Sequence, residues 1–478
     1  MADSIKNKKE KDVIGWFNEV LLKAKVVDFS SVKGFSVYMP YGYMMWEISQ
    51  KYLDKKFKEL GVENVYFPSL IPEHLLAKEE KHIEHFSVEA AWVTMGGDKK
   101  LDERLAIRPT SETIIYDSLS NWIKSYRDLP MLLNQWVNIV RWETKETRFF
   151  LRGREFLWQE GHCAFRTEEE AEGNALKIVK IYKEFMEEIM AVPAFIGLKS
   201  EREKFAGADK SYTLEVFLPG NYASQAATSH VLGTNFSKPF EIKFLNEKNE
   251  WEYVHQTSWG ISTRTIGVMV LEFGDDKGLV LPPKIAPIQI IIIPILGSRA
   301  DEKILSESKR IRDELLKLGV RVKLDDDKDS SPGWKFNEYE LKGVPMRLEV
   351  GEKELLNGEL TYKVRFDGEK GVIKLDKLDS IVEKLNLIQS KMLNEQRKKT
   401  MSNIKITNNK DEFITGLKER KYILKAAWCG SEKCEDKIEE ETSASSRFIP
   451  ADKEELISDK CIYCGEKARF NAYFAQSF

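Results

Sequence analysis

Two short segments, residues 137–143 and 156–165, carry the residue types with the most chemical potential. Both are predicted to be β-strands, and the stretch between them is rich in charge. Because side chains alternate along a strand, Arg141 and Glu143 share one face of the first strand. One face of the second strand carries Phe156, Trp158, Glu160 and His162. Since arginine and carboxylates are rarely buried without partners, this surface indicates either a ligand pocket or a buried ionic network.

A hydroxyl and a carboxylate lie close together in the segment 108–113, which reads RPTSET. One interpretation is a helix start, in which Thr110 or Ser111 caps the helix and Glu112 favours the positive end of its dipole. The alternative is that the Thr110 hydroxyl and the Glu112 carboxylate are presented together to a cationic ligand. The residues alone leave both interpretations open.

Two more polar segments follow further along the chain. The segment 225–230 reads QAATSH and is a dense polar cluster close to a glycine, which indicates either a binding loop or an ordinary surface turn. Arg264 lies two residues before the apolar run 266–271. It is either a satisfied structural charge or a phosphate ligand, because the guanidinium fork matches phosphate geometry.

Length and composition limit the elements that can position these residues. The chain has 478 residues, 42% hydrophobic and 32% charged, which is typical of a globular protein. At about 100–200 residues per domain, we expect two to four domains. The formal net charge of −3 argues against a protein that coats nucleic acid, so no DNA partner is expected. The N-terminus lacks an apolar signal segment and the run 285–296 is too short to cross a bilayer, so we expect a cytoplasmic protein without a membrane partner.

Three blocks, residues 1–286, 287–399 and 400–478, differ in pattern. The first contains an amphipathic helix that ends at Gly61 and another that opens with a capping box, Thr167 to Glu170. The second alternates strand-like and helix-like segments, which indicates a mixed α/β domain. The third is short and carries clustered cysteines. We therefore predict an α/β multidomain protein.

Four of the five cysteines lie within the last 50 residues, at the spacings Cys429-x4-Cys434 and Cys461-x2-Cys464. In a large cytosolic chain this pattern favours a metal site over disulfides. Two short hairpin-like pairs can close a tetrahedral site around Zn²⁺, and four protein ligands would make that zinc structural. Four reduced, unligated thiols are the alternative.

Taken in order, the motifs resemble those of class II aminoacyl-tRNA synthetases, and among them the prolyl-tRNA synthetases of the archaeal and eukaryotic type. The segments close to the prolyl pattern are RPTSET, REFLWQEGH, TSHVLGTNF, SWGISTR and GLVLPPKIAPIQ. The segment PGWKFNEYELKGVPMRLEVG resembles the anticodon-binding domain of that family. The resemblance implies an antiparallel-sheet catalytic domain (1–286), an α/β anticodon-binding domain (287–399) and a small C-terminal zinc-binding α/β domain (400–478).

The same resemblance implies ATP-dependent activation of proline, with Mg²⁺, and transfer of the prolyl group to tRNA(Pro). Arg141 and Arg264 are the implied catalytic residues. Glu143 would accept from the adenine amino group, and Phe156 would stack on the adenine ring. The implied ATP-binding residues are Arg141, Glu143, Arg152, Phe156, Gln225, Thr228 and Arg264. The implied proline-binding residues are Thr110, Glu112, Arg141, Trp158, Glu160, His162, His230 and Ser262.

Further expectations concern the remaining blocks and partners. The residues implied to contact the anticodon are Phe336, Glu340, Arg347 and Lys353; the alternative is that Glu340 and Arg347 simply pair with each other as ions. The four clustered cysteines are the implied zinc ligands. The motif 1 resemblance implies a homodimer. About 100 residues separate Glu160 from Arg264, too few for the editing domain that bacterial relatives often insert there, so no editing of alanyl-tRNA by this chain is expected.

Two other functions are compatible with parts of this pattern. A synthetase for a different amino acid would share the class II motifs, but Trp158 and the intact pair Thr110 and Glu112 argue against it. A non-catalytic synthetase paralogue, acting as an RNA-binding or regulatory subunit, would not need Arg141, Glu143 and Arg264 together. The sequence therefore favours the prolyl enzyme.

Overall fold

The computed structural model describes residues 5–82, 89–142, 146–297, 299 and 301–478. Over those ranges, no helix is both long and apolar enough to cross a membrane. The helices of the N-terminal region are α1 (Val13–Lys23), α2 (Pro40–Glu59), α3 (Glu73–His82), α4 (Glu112–Trp122), α5 (Glu168–Glu188) and α6 (Arg264–Phe273). Its strands are β1 (Val27–Phe29), β2 (Ser36–Tyr38), β3 (Glu63–Asn64), β4 (Leu70–Pro72), β5 (Ala91–Gly96), β6 (Lys99–Ile107), β7 (Met131–Val140), β8 (Glu155–Phe165), β9 (Phe195–Leu198), β10 (Lys210–Leu218), β11 (Tyr222–Gly233), β12 (Lys243–Leu245), β13 (Trp251–Tyr253) and β14 (His255–Ser262).

The rest of the chain continues the alternation of helices and strands. Its helices are α7 (Asp301–Lys317), α8 (Pro332–Leu341), α9 (Glu352–Asn357), α10 (Ser380–Ser402), α11 (Lys410–Lys418) and α12 (Glu432–Thr442). Its strands are β15 (Ile290–Pro294), β16 (Val322–Leu324), β17 (Met346–Val350), β18 (Glu359–Val364), β19 (Lys370–Lys374), β20 (Ile404–Ile406), β21 (Ile423–Trp428), β22 (Ala444–Pro450) and β23 (Phe470–Ser477). Helix α10 runs across the boundary predicted between residues 399 and 400.

A largely antiparallel sheet forms the centre of the N-terminal region, in the order β9-β10-β11-β14-β8-β7. The predicted pairing of the first two candidate strands is confirmed, because β7 and β8 are antiparallel and Gln135 lies opposite Glu160. Strand β7 ends at Val140, earlier than expected, so Arg141 directly follows the strand. Glu143 lies outside the described residues.

Helix α5 covers one face of this sheet. Its predicted capping box is confirmed: the Thr167 hydroxyl accepts from the Glu170 amide, and the Glu170 carboxylate accepts from the Thr167 amide. Its apolar side is buried against the sheet. Trp259 fills the space above Gly161, where an added Cβ would lie 2.1 Å from the indole ring. The opposite face of the sheet, which α5 does not cover, borders the cavity described below.

The segment 225–230 was expected to be a loop or a turn, and this prediction is wrong: it lies inside strand β11. Several of its side chains are polar because this strand borders a cavity. The pairing of β10 with β11 shifts at Leu214, which leaves Ala226 as the extra residue of a β-bulge. Because the bulge resets the alternation, Gln225 and Thr228 both line the cavity although they are three residues apart.

The middle region has a separate five-stranded sheet in the order β16-β15-β17-β18-β19. Strand β15 is parallel to both β16 and β17, and its isoleucines are fully buried. Parallel strands need a crossover, which here includes α7 and α8. The mixed α/β architecture predicted for this block is therefore confirmed.

The C-terminal region extends the sheet of the N-terminal region. Its strands follow the order β20-β21-β23-β22, and β22 pairs with β9 through Ile449 and Leu198. Strand β23 also pairs with β11, where Gln476 lies beside Tyr222. The two regions thus share one sheet, with eleven strands among the described residues.

Candidate active site

A cavity of about 290 Å³ opens on the face of the sheet that α5 leaves uncovered. Of the predicted ATP- and proline-binding residues, those that line it are Thr110, Glu112, Arg141, Phe156, Trp158, Glu160, His162, Gln225, Thr228, His230, Ser262 and Arg264. Arg152 lines a second cavity of about 670 Å³, which shares Gln225 and Arg264 with the first. The fold therefore brings residues from five distant segments to one place.

Arg141 is held at the end of β7 by its surroundings. Its Nε donates to the carbonyl oxygen of Pro109 at 3.1 Å. Its guanidinium carbon lies 5.6 Å from the ring centre of Phe156 and 5.8 Å from that of Trp158. Those contacts are cation–π in character and keep the positive charge beside an aromatic wall.

Helix α4 starts at Glu112, so the predicted helix start is confirmed. The expected capping bond is absent there, because the N-cap residue Ser111 makes no side-chain bond to the helix backbone. Its hydroxyl donates instead to Glu160. The Thr110 hydroxyl donates to the Glu112 carboxylate, and both side chains are buried at the cavity wall. The helix start thus also presents the predicted hydroxyl–carboxylate pair.

Glu160 is fixed by residues behind the cavity that were not predicted. Its Oε1 accepts from the Ser111 hydroxyl at 2.5 Å and from Gln135 Nε2 at 2.7 Å. The amide orientation of Gln135 is set by the Phe67 N–H, which donates to Gln135 Oε1 at 3.1 Å. Gln135 lies opposite Glu160 because of the register between β7 and β8. A single sequence does not determine that register.

The pKa values of the two histidines of the cavity are shifted in opposite directions. His162 Nε2 lies 3.2 Å from Glu160 Oε2, and its Nδ1 lies 3.1 Å from the Tyr116 hydroxyl. Burial opposes the charged form of His162, but the hydrogen bond to Glu160 and the charges of Glu112 and Glu160 raise its pKa above the ordinary value. Burial, helped by the charge of His162, lowers the pKa of His230 to about 3. The cavity therefore favours the charged form of His162 and the neutral form of His230.

Arg264 occupies the first position of α6, and only Thr263 separates it from the end of β14. Its Nη1 donates to the backbone carbonyl of Gln225, and its Nε to that of Leu151, each at 3.3 Å. In the second cavity its guanidinium is joined by those of Arg148, Arg152 and Arg447. Arg148 and Arg447 were not predicted. A cavity lined by four arginines suits a ligand with several negative charges.

Lys199, Glu203 and Phe205 also line the first cavity and were missed. They lie after β9, in a segment without a recognisable pattern. The Phe205 ring stacks on His230 with centres 4.7 Å apart. The contact between Phe205 and His230 depends on how distant segments pack, so the sequence around Phe205 contains no signal for it.

The sulfur atoms of the four clustered cysteines lie within 4.8 Å of one another. Cys434 Sγ is 3.8 Å from Cys461 Sγ, and Cys464 Sγ is 3.7 Å from Cys429 Sγ. A tetrahedron with zinc–sulfur bonds of about 2.3 Å has edges of about 3.8 Å, so these four sulfurs fit a zinc ion. Among the described residues, a second group with suitable atoms is formed by Glu112, Glu160 and His162.

The predicted form of the cysteine pairs is correct for one pair only. Cys461 and Cys464 lie in a tight turn, where the Gly465 amide donates to the Cys461 carbonyl at 3.0 Å. Cys429 follows β21, whereas Cys434 lies in α12, so this pair joins a strand end to a helix rather than forming a hairpin. Helix α12 thus supplies one sulfur atom of the cluster, that of Cys434.

Three of the four residues expected to contact the anticodon lie together in the middle region. Phe336, Glu340 and Arg347 line a small pocket of about 20 Å³, and Lys353, on α9, is not part of its lining. The Arg347 guanidinium lies 3.5 Å from the centre of the Phe336 ring. Arg347 pairs with Glu349 at 2.6 Å, so the alternative ion pair with Glu340 does not form.

The chain matches three family models in sequence order. Residues 86–273 match the tRNA synthetase class II core domain (G, H, P, S and T). Residues 289–385 match an anticodon binding domain. Residues 410–478 match the C-terminal domain of prolyl-tRNA synthetase.

Similar proteins cover nearly the whole chain. The proline–tRNA ligase of Natranaerobius thermophilus is 46% identical over 98% of this chain and 96% of its own, and that of Clostridium botulinum strain 657 is 45% identical over 98% and 97%. A crystal structure of prolyl-tRNA synthetase from Cryptosporidium parvum, complexed with halofuginone and AMPPNP, superposes with a TM-score of 0.94 at 41% identity over 99% of both chains. A second structure of that enzyme, complexed with L-proline and AMP, gives a TM-score of 0.93 at 40% identity, covering 99% of this chain and 97% of that one. With its class II core, its cavity and these relatives, the chain belongs to the prolyl-tRNA synthetase family.

Proposed function

We propose that this protein activates L-proline with ATP and transfers the prolyl group to tRNA(Pro). The observation that carries the proposal is a single cavity that holds the pair Thr110–Glu112 together with Arg141 and Arg264. This arrangement suits a ligand with a cation at one end and anionic groups at the other. The similar enzyme from Cryptosporidium parvum, which is complexed with L-proline and AMP in one structure, supports the same assignment.

Proline is a secondary amine and, when protonated, carries two N–H donors. Glu112 accepts the proton of the Thr110 hydroxyl, so the Thr110 oxygen is left as a second acceptor. The two oxygens would bind the two N–H groups. The remaining pocket would be formed by Trp158, Glu160, His162, His230 and Ser262.

In the first step, a carboxylate oxygen of proline attacks the α-phosphorus of ATP. A new oxygen–phosphorus bond forms, the bond to the bridging oxygen of the β-phosphate breaks, and pyrophosphate leaves. The nucleophile is already anionic, so no general base is needed, and positioning and charge stabilisation dominate. Arg141 and Arg264 would stabilise the developing charge, with Arg152 beside the phosphates in the adjoining cavity.

The nucleotide would bind as its Mg²⁺ complex, since the cation neutralises charge on the phosphates. Phe156 would stack on the adenine ring, while Gln225 and Thr228 would contact the nucleotide from β11. Glu143 would accept from the adenine amino group.

In the second step, a hydroxyl of the terminal tRNA ribose attacks the carbonyl of prolyl-adenylate, and AMP leaves. Phe336, Glu340, Arg347 and Lys353 would contact the anticodon, where an aromatic ring can stack on a base. The four cysteines would hold a structural Zn²⁺, because four protein ligands leave no open position. We further propose a homodimer that acts in the cytoplasm.

The test is amino-acid-dependent exchange of pyrophosphate into ATP, with proline, alanine, cysteine, threonine and histidine in parallel. Exchange should be strongest with proline. Arg141→Ala should abolish it while the thermal unfolding profile stays intact. Arg312→Ala removes a half-buried arginine that is paired with its neighbour Asp313, outside both cavities, and this matched variant should remain active.

Each contrary outcome has a definite meaning. Exchange strongest with another amino acid would refute the proline assignment. Absence of exchange from folded, zinc-loaded protein would refute the activation chemistry and favour a non-catalytic, RNA-binding paralogue. Near-normal activity of Arg141→Ala would refute the role given to that arginine.

A further inference from the structure

A buried group of three charges joins the C-terminal region to the sheet of the N-terminal region. Glu215, on β10, is fully buried, and its Oε1 accepts from Lys199 Nζ at 3.0 Å. Its Oε2 accepts from Nε and Nη2 of Arg447, on β22, at 3.1 and 2.8 Å. Lys199 and Arg447 are also buried, with side-chain exposures of 4% and 7%. One carboxylate thus binds a cation from each region.

A hydrogen-bond relay leads from this carboxylate to the candidate nucleotide site. The Thr213 hydroxyl donates to Glu215 Oε1 at 3.0 Å. Gln225 Nε2 donates to the Thr213 hydroxyl oxygen at 3.1 Å. Thr213 itself is fully buried and does not line the cavity, whereas Gln225 borders both cavities. The relay therefore connects Arg447 with a residue at the cavity wall.

The charge of Glu215 determines which group donates in each hydrogen bond of this relay. Burial disfavours the ionised form of Glu215, but Arg447 and Lys199 outweigh it and hold the pKa of that carboxyl below its ordinary value. An ionised carboxylate only accepts, so the single hydroxyl proton of Thr213 must point to Glu215. The Thr213 oxygen then accepts from Gln225. The amide of Gln225 is left with its oxygen as the group that can accept from a ligand, and with its second N–H as a further donor.

We infer that Thr213, Glu215 and Arg447 are positioning residues for nucleotide binding, which orient Gln225 so that its amide oxygen accepts a hydrogen bond from the nucleotide. The donor on the nucleotide is a ribose hydroxyl or the adenine amino group. The C-terminal region thereby takes part in nucleotide recognition through the contact of Arg447 with Glu215. This inference rests on the proposed function.

The experiment measures KM for ATP and for proline separately in the exchange assay. Thr213→Val removes the hydroxyl but keeps the shape of the side chain and the three charges. Its KM for ATP should rise about three- to tenfold, as expected for one hydrogen bond, with KM for proline unchanged. Thr213→Ser retains the hydroxyl and should restore the wild-type KM for ATP.

Thr257→Val is the matched control. Thr257 is another fully buried threonine of the same sheet, and its hydroxyl donates to Asn174 Oδ1 at 3.2 Å, away from both cavities. This variant should lose stability but keep both KM values. Equal increases of KM for ATP in Thr213→Val and Thr257→Val would mean a general structural effect and would overturn the inference.

Nucleotide analogues identify the donor. In the wild-type protein, the analogue that lacks the recognised donor should bind less tightly, and Thr213→Val should cause no further loss with that analogue. The analogues are 2′-deoxy-ATP, 3′-deoxy-ATP and the purine riboside triphosphate, which lacks the amino group. If Thr213→Val weakens all three as much as it weakens ATP, Gln225 recognises none of these donors and the inference is wrong.

The proposed function and this inference fail in different ways. Wild-type protein without proline-dependent exchange would contradict the proposed function. Active wild-type protein, together with an unchanged KM for ATP in Thr213→Val, would contradict only the inference.

Discussion

At the scale of single residues, Glu160 shows how a cavity side chain depends on residues that no ligand touches. Ser111 and Gln135 donate to one of its oxygens, and His162 lies beside the other. All four side chains are buried. The position of the Glu160 carboxylate therefore depends on hydrogen bonds from residues behind the cavity wall. One of these residues, Gln135, is itself oriented by the backbone amide of Phe67.

Replacing Gln135 with methionine should weaken proline binding more than ATP binding. The change keeps the volume but removes one donor to Glu160 and leaves the Phe67 amide without its acceptor. We expect a rise of about tenfold in KM for proline, and a loss of about 1–3 kcal/mol in the free energy of unfolding. Exchange kinetics and denaturant unfolding measure the two effects.

Gln256→Met provides the matched control for this variant. Gln256 is a buried glutamine on β14, which β8 separates from the strand of Gln135, and within the described part of the chain its amide has no hydrogen-bond partner. Its replacement should leave both KM values unchanged. Equal increases of KM for proline and for ATP in Gln135→Met would contradict a specific role in holding Glu160.

At the scale of elements, the sequence was informative where a pattern repeats within one segment. Alternation placed Phe156, Trp158, Glu160 and His162 on one face of β8, and all four line the cavity. The prediction of a loop or a turn for residues 225–230 is wrong, because a strand that borders a cavity carries polar residues and the bulge in β11 breaks the alternation. Contacts such as Glu215 with Arg447 join residues 232 positions apart, and one sequence contains no signal for them.

The zinc-binding candidate is also an element-scale feature, because its cysteines tie β21 and α12 to the turn before β23. Removing the metal, by a chelator or by Cys434→Ser, should leave that region partly unfolded. Since β22 and β23 pair with β9 and β11, KM for ATP should rise as well. Metal analysis by mass spectrometry, thermal unfolding and exchange kinetics test this expectation.

Cys163→Ala is the matched cysteine control. Cys163 is fully buried in the core of the N-terminal sheet, and burial raises the pKa of its thiol to about 11. It lies outside the cluster of four. This variant should retain one zinc per chain, and a metal-free wild-type protein with unaltered stability would contradict a structural site.

At the scale of the whole molecule, three distant parts of the chain meet around Glu272, at the end of α6. Its carboxyl is buried, and its Oε2 has no hydrogen-bond partner in the part of the chain that is described. Burial raises its pKa to about 7, although the charges of Lys399 and Lys9 oppose this shift. Lys9 comes from the N-terminal segment and donates to the Gly274 carbonyl at 2.6 Å.

This carboxyl should make stability depend on pH. Its pKa is higher in the folded than in the unfolded protein, so the folded state binds the proton more tightly. The resulting stabilisation is complete below about pH 4.5 and is lost as the pH rises through about 7. Glu272→Gln cannot titrate, so between pH 5 and pH 8 it should gain about 2–3 kcal/mol relative to the wild type. Denaturant unfolding at both values measures this change, and parallel pH profiles of the two proteins would contradict it.

The sheet shared by the two ends of the chain has a consequence for biosynthesis. Strands β9 and β11 are completed early, but their partners β22 and β23 follow more than 200 residues later. Until the ribosome has made those strands, β9 presents an unpaired edge to other nascent chains. The enzyme therefore passes through a long interval in which its catalytic sheet is formed but unprotected, and molecular chaperones that shield strand edges should matter most during that interval.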